Sequence, residues 1–141
     1  MIFLSCDGGS RGNPGPAALG VVVKDEHGVV LSCKKKFLGT TTNNVAEYSS
    51  LIEGLILARL YGDEVTVLMD SELIIRQARG EYKVKAPHLR VFLDRVHEVA
   101  RGFKTVVFQE VPREENVMAD ALVNEELDER AKSTFAKKKP L

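Results

Sequence analysis

The first third of the chain carries short apolar runs separated by Gly, Pro and polar residues, a pattern typical of β-strands joined by turns. Residues 2–6 predict a strand that ends at Asp7 and is followed by a loop rich in Gly and Pro. Residues 18–23 and 29–37 flank a polar connection in which Gly28 can take a positive φ. These two segments are therefore predicted to form a hairpin.

Helical spacing begins after this hairpin. Apolar residues between positions 44 and 60 recur every three or four residues with no Pro among them, which predicts an amphipathic helix. The Val-rich run 64–69 predicts a buried strand ending before Asp70, with a helix of about two turns over residues 71–79 after it. Pro87 is suited to the first position of a second long helix that stops at Gly102.

The end of the chain returns to strand composition at residues 103–111, and a last helix begins at Asn116. The predicted order is β-β-β-α-β-α-α-β-α, which indicates an α/β fold with a mixed sheet covered by helices. A chain of 141 residues fits one domain. Residues 1–131 are predicted to form it, and residues 132–141, which include three consecutive Lys, are predicted to be a disordered basic tail.

Composition narrows the function classes. The 20 basic and 20 acidic residues give no net charge, so contact with nucleic acid would have to come from local patches. No apolar stretch approaches the roughly 20 residues that span a bilayer. The two Cys are not in a metal-ligand spacing and no apolar leader precedes the first strand, which favours the reducing cytoplasm. We also expect a monomer that does not contact membranes.

Four carboxylates stand at predicted element ends or on an apolar helix face. Asp7 and Asp70 each follow an apolar strand, and the carboxyl ends of such strands are where α/β sheets place ligands. If the two strands are parallel neighbours, these carboxylates repel each other and need a cation, a shared proton or a wide spacing. Glu47 lies on the apolar stripe of its helix, and Asp120 lies near the start of the last helix, whose dipole favours a negative charge.

Each carboxylate also has an ordinary explanation. Asp after a strand is a common turn former, Glu47 could be a buried salt-bridge partner, and Asp120 could be a first-turn charge. Together, however, they match the oxygen ligands of two hard divalent cations about 4 Å apart. The motifs contain no His or Cys, which argues against zinc and favours Mg²⁺ or Mn²⁺.

Four motifs occur in a fixed order: DGGSRGNPGPA at residues 7–17, TTNNVAE at 41–47, Asp70 followed by Ser71, and NVMAD at 116–120. In this combination the chain resembles the type 1 ribonucleases H (the ribonuclease HI family) over about residues 2–130. The resemblance implies a ribonuclease H-like fold, in which a five-stranded mixed sheet, three antiparallel strands and then parallel ones, is flanked by helices. It also implies an endoribonuclease that hydrolyses the RNA strand of RNA/DNA hybrids and leaves 5′-phosphate and 3′-hydroxyl ends.

The same resemblance implies the roles of the site residues. Asp7, Glu47, Asp70 and Asp120 match the family's metal-binding carboxylates, which hold two Mg²⁺ ions when substrate is bound, with Mn²⁺ as a substitute. One ion activates a water for in-line attack and the other stabilises the leaving 3′-oxygen. Asp7 is expected to be the ligand shared by both ions.

Substrate contacts carry over by position as well. The glycine-rich backbone after Asp7 can approach the RNA minor groove and its 2′-hydroxyls. Thr42 resembles the hydroxyl that binds a phosphate of the DNA strand, and helix capping is the alternative for Asn43 and Asn44. The expected substrate-binding residues are Gly8, Gly9, Ser10, Gly12, Asn13, Thr42, Asn43 and Asn44.

The chain departs from the family pattern in the loop before the last Asp and in the segment of residues 80–89. Many members carry a His in the loop before the last Asp, whereas this chain has Arg113, which can contact a phosphate but cannot shuttle protons near neutral pH. A plain surface Arg is the alternative. The Trp-rich basic extension of some bacterial members is missing, and Lys83 and Lys85 offer a smaller substitute or, alternatively, a solvated charge cluster.

Two other functions are compatible with an acidic cluster on this fold. Other polynucleotidyl transferases of this fold use acidic clusters and two metals, but their motifs differ from those quoted above. A binding module that has lost catalysis would be expected to lack one or more of the carboxylates, and all four are present. In the family's strand order the first and third strands are not neighbours, so Cys6 and Cys33 are predicted to be free thiols.

Overall fold

The strands form one five-stranded sheet in the order β3-β2-β1-β4-β5. The structure, a computed structural model, describes the backbone of residues 1–138, and residues 139–141 lie outside it. β1 pairs antiparallel with β2, and β2 with β3, whereas β4 is parallel to both β1 and β5. The predicted fold class is confirmed, with strands β1 (Ile2–Ser10), β2 (Gly15–Lys24), β3 (Val30–Thr41), β4 (Glu64–Met69) and β5 (Thr105–Glu110).

Two groups of buried apolar residues join the helices to this sheet. The larger contains Leu4, Leu19 and Val67 from the strands together with Leu51 and Val96 from two of the helices. The smaller joins the last helix to Ala18 of β2. The helices are α1 (Asn43–Ala58), α2 (Glu72–Ala78), α3 (Pro87–Ala100) and α4 (Val117–Lys138), with a 3₁₀ turn at Arg113–Glu115 before α4.

The first strand is longer than its apolar run predicts. Its parallel pairing with β4 ends at Ser5, but its antiparallel pairing with β2 continues until Ser10 faces Ala17. Asp7 therefore lies inside β1 and not after it, which corrects the prediction. It is nevertheless at the end of the parallel pairing, because β4 stops at Met69, immediately before Asp70.

The last helix also runs further than predicted. α4 continues to Lys138, so the backbone of residues 132–138 is helical where a disordered tail was predicted. Residues 117–138 contain neither Gly nor Pro and are rich in Ala, Glu, Lys and Arg, which favour helix. The last three residues of the predicted tail lie outside the described residues, and a domain boundary at residue 131 remains a prediction.

The two cysteines are unpaired in this fold, as predicted. Cys6 is buried on β1 and Cys33 is exposed on β3, with β2 between the two strands. None of the helices in the described part of the chain is long and apolar enough to cross a membrane.

Candidate active site

A cleft of about 460 Å³ opens where β1 and β4 end their parallel pairing. It is bordered by β1, α1, the segment after β4, and α4, so four separate elements contribute to one surface. All four predicted carboxylates line it, together with Arg113. The lining residues are Asp7, Gly8, Gly9, Ser10, Arg11, Asn43, Asn44, Glu47, Asp70, Ser71, Arg113, Asp120, Val123, Asn124 and Leu127.

Asp7 is the centre of the acidic cluster. Its pKa is raised to about 8, first by burial and then by the negative charges of Asp70 and Asp120. A side-chain hydrogen bond with Asp120 and the charge of Glu47 raise the pKa further. All three other carboxylates therefore act on Asp7, and the four side chains line one cleft.

Glu47 reaches the cluster from the other side of β1. The backbone of α1 at Ala46 and Glu47 packs directly on Gly8, where an added Cβ would lie 2.2 Å from the Ala46 carbonyl oxygen. The pKa of Glu47 is raised to about 7 by burial and by Asp70, although a hydrogen bond with Ser71 opposes this shift. The ionised form of a carboxylate in this position is destabilised, and a nearby cation would stabilise it.

Asp70 is fixed by a residue whose role the sequence did not reveal. The side-chain amide of Asn116 donates to the Cys6 carbonyl at 2.8 Å and to Asp70 Oδ1 at 3.4 Å. Asn116 was predicted only as the start of the last helix, and it is buried to 98% of its surface. Its Oδ1 has no hydrogen-bond partner among the described residues, so it does not cap α4.

Asp120 lies in the first turn of α4 between two polar side chains. Asn124, one turn later, donates to the Asp120 backbone carbonyl at 3.1 Å and to Oδ2 at 3.4 Å. Arg113 approaches Oδ1 of the same carboxylate at 3.8 Å, with 76% of its own side chain exposed. This exposed ion pair contributes little to stability, and its geometry leaves Arg113 free to reorient towards another anion.

The cluster has the donor chemistry of a hard-cation site. All four side chains offer carboxylate oxygens, and burial and mutual repulsion raise the pKa of Asp7 and Glu47. Within the described residues, no three acidic, His or Cys side chains lie close enough together to form a coordination shell. The fit to divalent cations such as Mg²⁺ therefore rests on the chemistry of the carboxylate oxygens, which hard cations prefer.

The predicted substrate-binding residues of the glycine-rich segment and the α1 start are tied together by hydrogen bonds. The Ser10 amide donates to Asn43 Oδ1 at 3.3 Å, and the Asn43 amide donates to Asn13 Oδ1 at 3.0 Å. Thr42 is the N-cap of α1, since its hydroxyl accepts from the Val45 amide at 3.3 Å. Helix capping was the alternative role for Asn43 and Asn44. It is wrong for Asn43, whose side chain accepts a hydrogen bond from Ser10 of β1 instead.

The remaining predicted residues are distributed as follows. Gly12 takes a φ of +99° in the turn that leads from β1 to β2, a conformation that favours glycine. Lys83 and Lys85 are exposed in the connection between α2 and α3 and do not line the cleft.

Arg11, which was not among the predicted site residues, does line the cleft and forms an ion pair with Asp128 at 2.7 Å. Only its place inside the first motif could have signalled it.

Comparison with known proteins gives a consistent picture. A family model described as "Reverse transcriptase-like" matches residues 5–126. The chain is 43% identical over 141 residues to the "Bifunctional protein Rv2228c" of Mycobacterium tuberculosis, a match that covers 99% of this chain but 39% of that protein. A ribonuclease H of Coxiella burnetii is 33% identical over 148 residues, with 92% of this chain and 91% of that enzyme covered.

A solved structure agrees with these relatives. The crystal structure of LC11-RNase H1 in complex with an RNA/DNA hybrid has a TM-score of 0.88 and 45% identity, covering 93% of this chain and 99% of that one. The chain thus spans less than half the length of its mycobacterial relative but nearly all of a free-standing ribonuclease H. On the matching family model, these relatives and the shared fold, the chain belongs to the ribonuclease H family.

Proposed function

We propose that this protein is an endoribonuclease that hydrolyses the RNA strand of RNA/DNA hybrids and leaves 5′-phosphate and 3′-hydroxyl ends. The observation that carries the proposal is the acidic cluster of one cleft, in which burial and the charges of Asp70, Asp120 and Glu47 raise the pKa of Asp7. A relative that is 45% identical was crystallised in complex with an RNA/DNA hybrid, which supports the choice of substrate.

The metal dependence follows from the donor set. Divalent metals are generally used by the ribonuclease H family. We propose that Asp7, Glu47, Asp70 and Asp120 hold two Mg²⁺ ions when substrate is bound and that Mn²⁺ can replace them. When bound, the ions would supply an activated water for attack on the phosphodiester and would stabilise the leaving 3′-oxygen.

The protein's own side chains prepare this chemistry. Burial and repulsion keep Asp7 partly protonated near neutral pH in the free protein, so metal binding releases a proton and stabilises the carboxylate. Asn116 holds Asp70 beside β1. Arg113 lies 3.8 Å from Asp120, which supports a role in pairing with a phosphate oxygen there, as a fixed cation that carries no proton in the reaction.

Substrate recognition is assigned to the segment next to the cluster. The backbone of residues 8–12, with little side chain in the way, can approach the RNA minor groove and hydrogen-bond 2′-hydroxyls, which distinguish RNA from DNA. Asn43 and Asn44 line the cleft, Asn13 accepts a hydrogen bond from the Asn43 amide, and Thr42 is proposed to bind a DNA-strand phosphate. Lys83 and Lys85 would bind the hybrid backbone outside the cleft. A monomeric state and a cytoplasmic location remain predictions.

The experiment uses a hybrid whose RNA strand carries a 5′ label. The parent protein should cut the RNA with Mg²⁺ or Mn²⁺ and not with EDTA, and Asp7→Asn should lose most of the activity. The matched control is Asp63→Asn, since Asp63 is exposed at the opposite end of the strand that precedes Asp70. Cleavage in EDTA, or full activity of Asp7→Asn, would refute the proposal.

The same assay distinguishes a hybrid-specific nuclease from enzymes of the same fold that act on other nucleic acids. Duplex DNA and single-stranded RNA of the same sequence should stay intact, whereas cleavage of duplex DNA would indicate a different polynucleotidyl transferase. Ligation of the RNA products to an adaptor tests whether they carry 3′-hydroxyl ends, because a 3′-phosphate end cannot be ligated. Products with 3′-phosphate ends would contradict the proposed bond cleavage.

A further inference from the structure

Gly20 on β2 is the residue that faces Asp7 across the sheet. The two are Cα partners in the antiparallel pairing of β1 and β2. Residues directly opposite in such a pair have their side chains on the same face of the sheet. Because Gly20 has no side chain, the surface beside Asp7 on that face is open to a neighbouring element.

The element that occupies this surface is the first part of α4. A Cβ added to Gly20 would lie 2.5 Å from the Ala119 carbonyl oxygen, 2.8 Å from Leu122 Cβ and 3.2 Å from the Val123 amide nitrogen. Two of these three atoms are backbone, so rotation of a side chain could not relieve the contact. α4 therefore packs on β2 backbone to backbone, on both sides of Asp120 in the sequence.

This contact is not explained by the conformation of Gly20 itself. Gly20 is absent from the glycines with positive φ, so an alanine would fit the strand conformation. The cost of a side chain here comes only from its collision with α4. That helix would have to move away from the sheet, and Asp120 would move with it.

We propose that Gly20 is a positioning residue that sets the distance between Asp120 and Asp7 by allowing α4 to rest directly on β2. The proposal rests on the proposed function of Asp120 as a metal ligand. Asp120 and Asp7 line the same cleft. Gly8 plays the corresponding part on the opposite face, where it admits the α1 backbone beside Glu47.

The proposal differs from a purely structural role for Gly20. A glycine needed only for packing would affect stability and leave the metal site unchanged in the folded protein. A glycine that positions Asp120 affects metal binding through that carboxylate and no other. The two effects can be separated by combining substitutions, because residues that act through each other give non-additive effects.

The test compares Gly20→Ala, Asp120→Asn and the double variant by calorimetric titration of the substrate-free protein with Mn²⁺ and by kcat on the hybrid. Gly20→Ala should weaken Mn²⁺ binding and lower kcat by about 10- to 100-fold, the range seen when groups that orient metal ligands are removed. In the Asp120→Asn background the same change should have less than about a twofold further effect. Equal losses in both backgrounds, or unchanged Mn²⁺ affinity in Gly20→Ala, would overturn the proposal.

Gly62→Ala is the matched control, because the three atoms nearest to an added Cβ there belong to Ile2 and lie at 3.7 to 3.8 Å, an ordinary contact distance. It should leave Mn²⁺ affinity and kcat unchanged. If Gly20→Ala does not fold, Val123→Leu is the second variant, because Val123 is buried against Ala18 of β2 and a larger side chain there should also push α4 away from the sheet. A Val123→Leu protein that folds and shows parental Mn²⁺ affinity would equally overturn the proposal.

The experiment distinguishes a failure of the role proposed for Gly20 from a failure of the role proposed for Asp120. If Asp120→Asn keeps parental Mn²⁺ affinity and activity, the assigned role of Asp120 is wrong. If Asp120→Asn is impaired but Gly20→Ala is not, the role of Asp120 stands and only the role of Gly20 fails.

Discussion

Asn116 donates a 2.8 Å hydrogen bond to the backbone carbonyl of Cys6, which joins the start of α4 to the strand that carries Asp7. The same amide reaches Asp70 Oδ1 at 3.4 Å. One buried side chain therefore connects three of the elements that form the acidic cluster. Its amide group is the only part of it that makes these contacts, so its removal can be tested directly.

Asn116→Ala should lower the free energy of unfolding by about 1 to 3 kcal/mol, because the buried Cys6 carbonyl loses its donor. It should also lower kcat, since Asp70 loses a fixed partner. Urea unfolding and hybrid cleavage measure the two effects, with Gln109→Ala on the exposed part of β5 as control. A variant with parental stability would show that the hydrogen bond is not maintained in solution.

The metal-free protein should lose stability as pH rises from about 4 to 8. Asp7 has a pKa raised to about 8, so across this window the native state holds a proton that the unfolded chain has released. Stability falls with pH wherever the native state binds more protons than the unfolded state. Glu47, with a pKa raised to about 7, adds to the same trend.

Urea unfolding in EDTA at pH 5, 7 and 9 tests this, with Asp7→Asn as the comparison. The variant should show a flatter pH dependence and should be more stable than the parent at pH 9. Saturating Mg²⁺ should restore the stability of the parent at that pH, because a ligand that binds only the native state stabilises it. A parent whose stability rises with pH in EDTA would contradict the charge repulsion.

Arg113→Ala should lower kcat about tenfold, equivalent to about 1.4 kcal/mol of the barrier. The concentration of Mg²⁺ for half-maximal activity should stay the same, because the pair of Arg113 with Asp120 is long and largely exposed. Arg101→Ala, at the end of α3, is the control. An unchanged kcat would make Arg113 an ordinary surface residue.

The Lys83→Ala, Lys85→Ala double variant should raise KM several-fold with little effect on kcat, since both residues are exposed and lie outside the cleft. The slope of log KM against log salt should decrease by about two, one for each lost phosphate contact. Lys104→Ala, at the opposite end of the sheet from Asp70, is the matched control. An unaltered salt slope would favour a solvated charge cluster with no contact to the hybrid.

The two thiols should differ in reactivity. Cys33 is exposed and should react with a thiol reagent in the native protein, whereas Cys6 is buried and should react only after denaturation. Burial and the neighbouring charge of Asp7 raise the pKa of the Cys6 thiol, which lowers its reactivity further. Rapid native labelling of both thiols, measured by absorbance, would contradict the buried position of Cys6.

The sequence alone determined the element order, the mixed sheet and the membership of the acidic cluster. Alternating and helical spacing reflect which face of each element is buried, and this can be recognised without coordinates. Asp7, Glu47, Asp70 and Asp120 stand at recognisable positions in these elements. The proximity of Asp7 and Asp70 was expected from topology if their strands are parallel neighbours, because such strands end at the same edge of a sheet.

Only the tertiary structure decided how the elements meet. The extension of β1 beyond Asp7 depends on pairing with β2, and the burial of Asn116 depends on contact with Cys6, more than 100 residues away in the sequence. The importance of Gly20 lies in what would collide with a side chain, and a sequence pattern does not contain that neighbour. Local periodicity specifies an element and its buried face, whereas long-range contacts fix the distances between the elements and thus the geometry of the carboxylates.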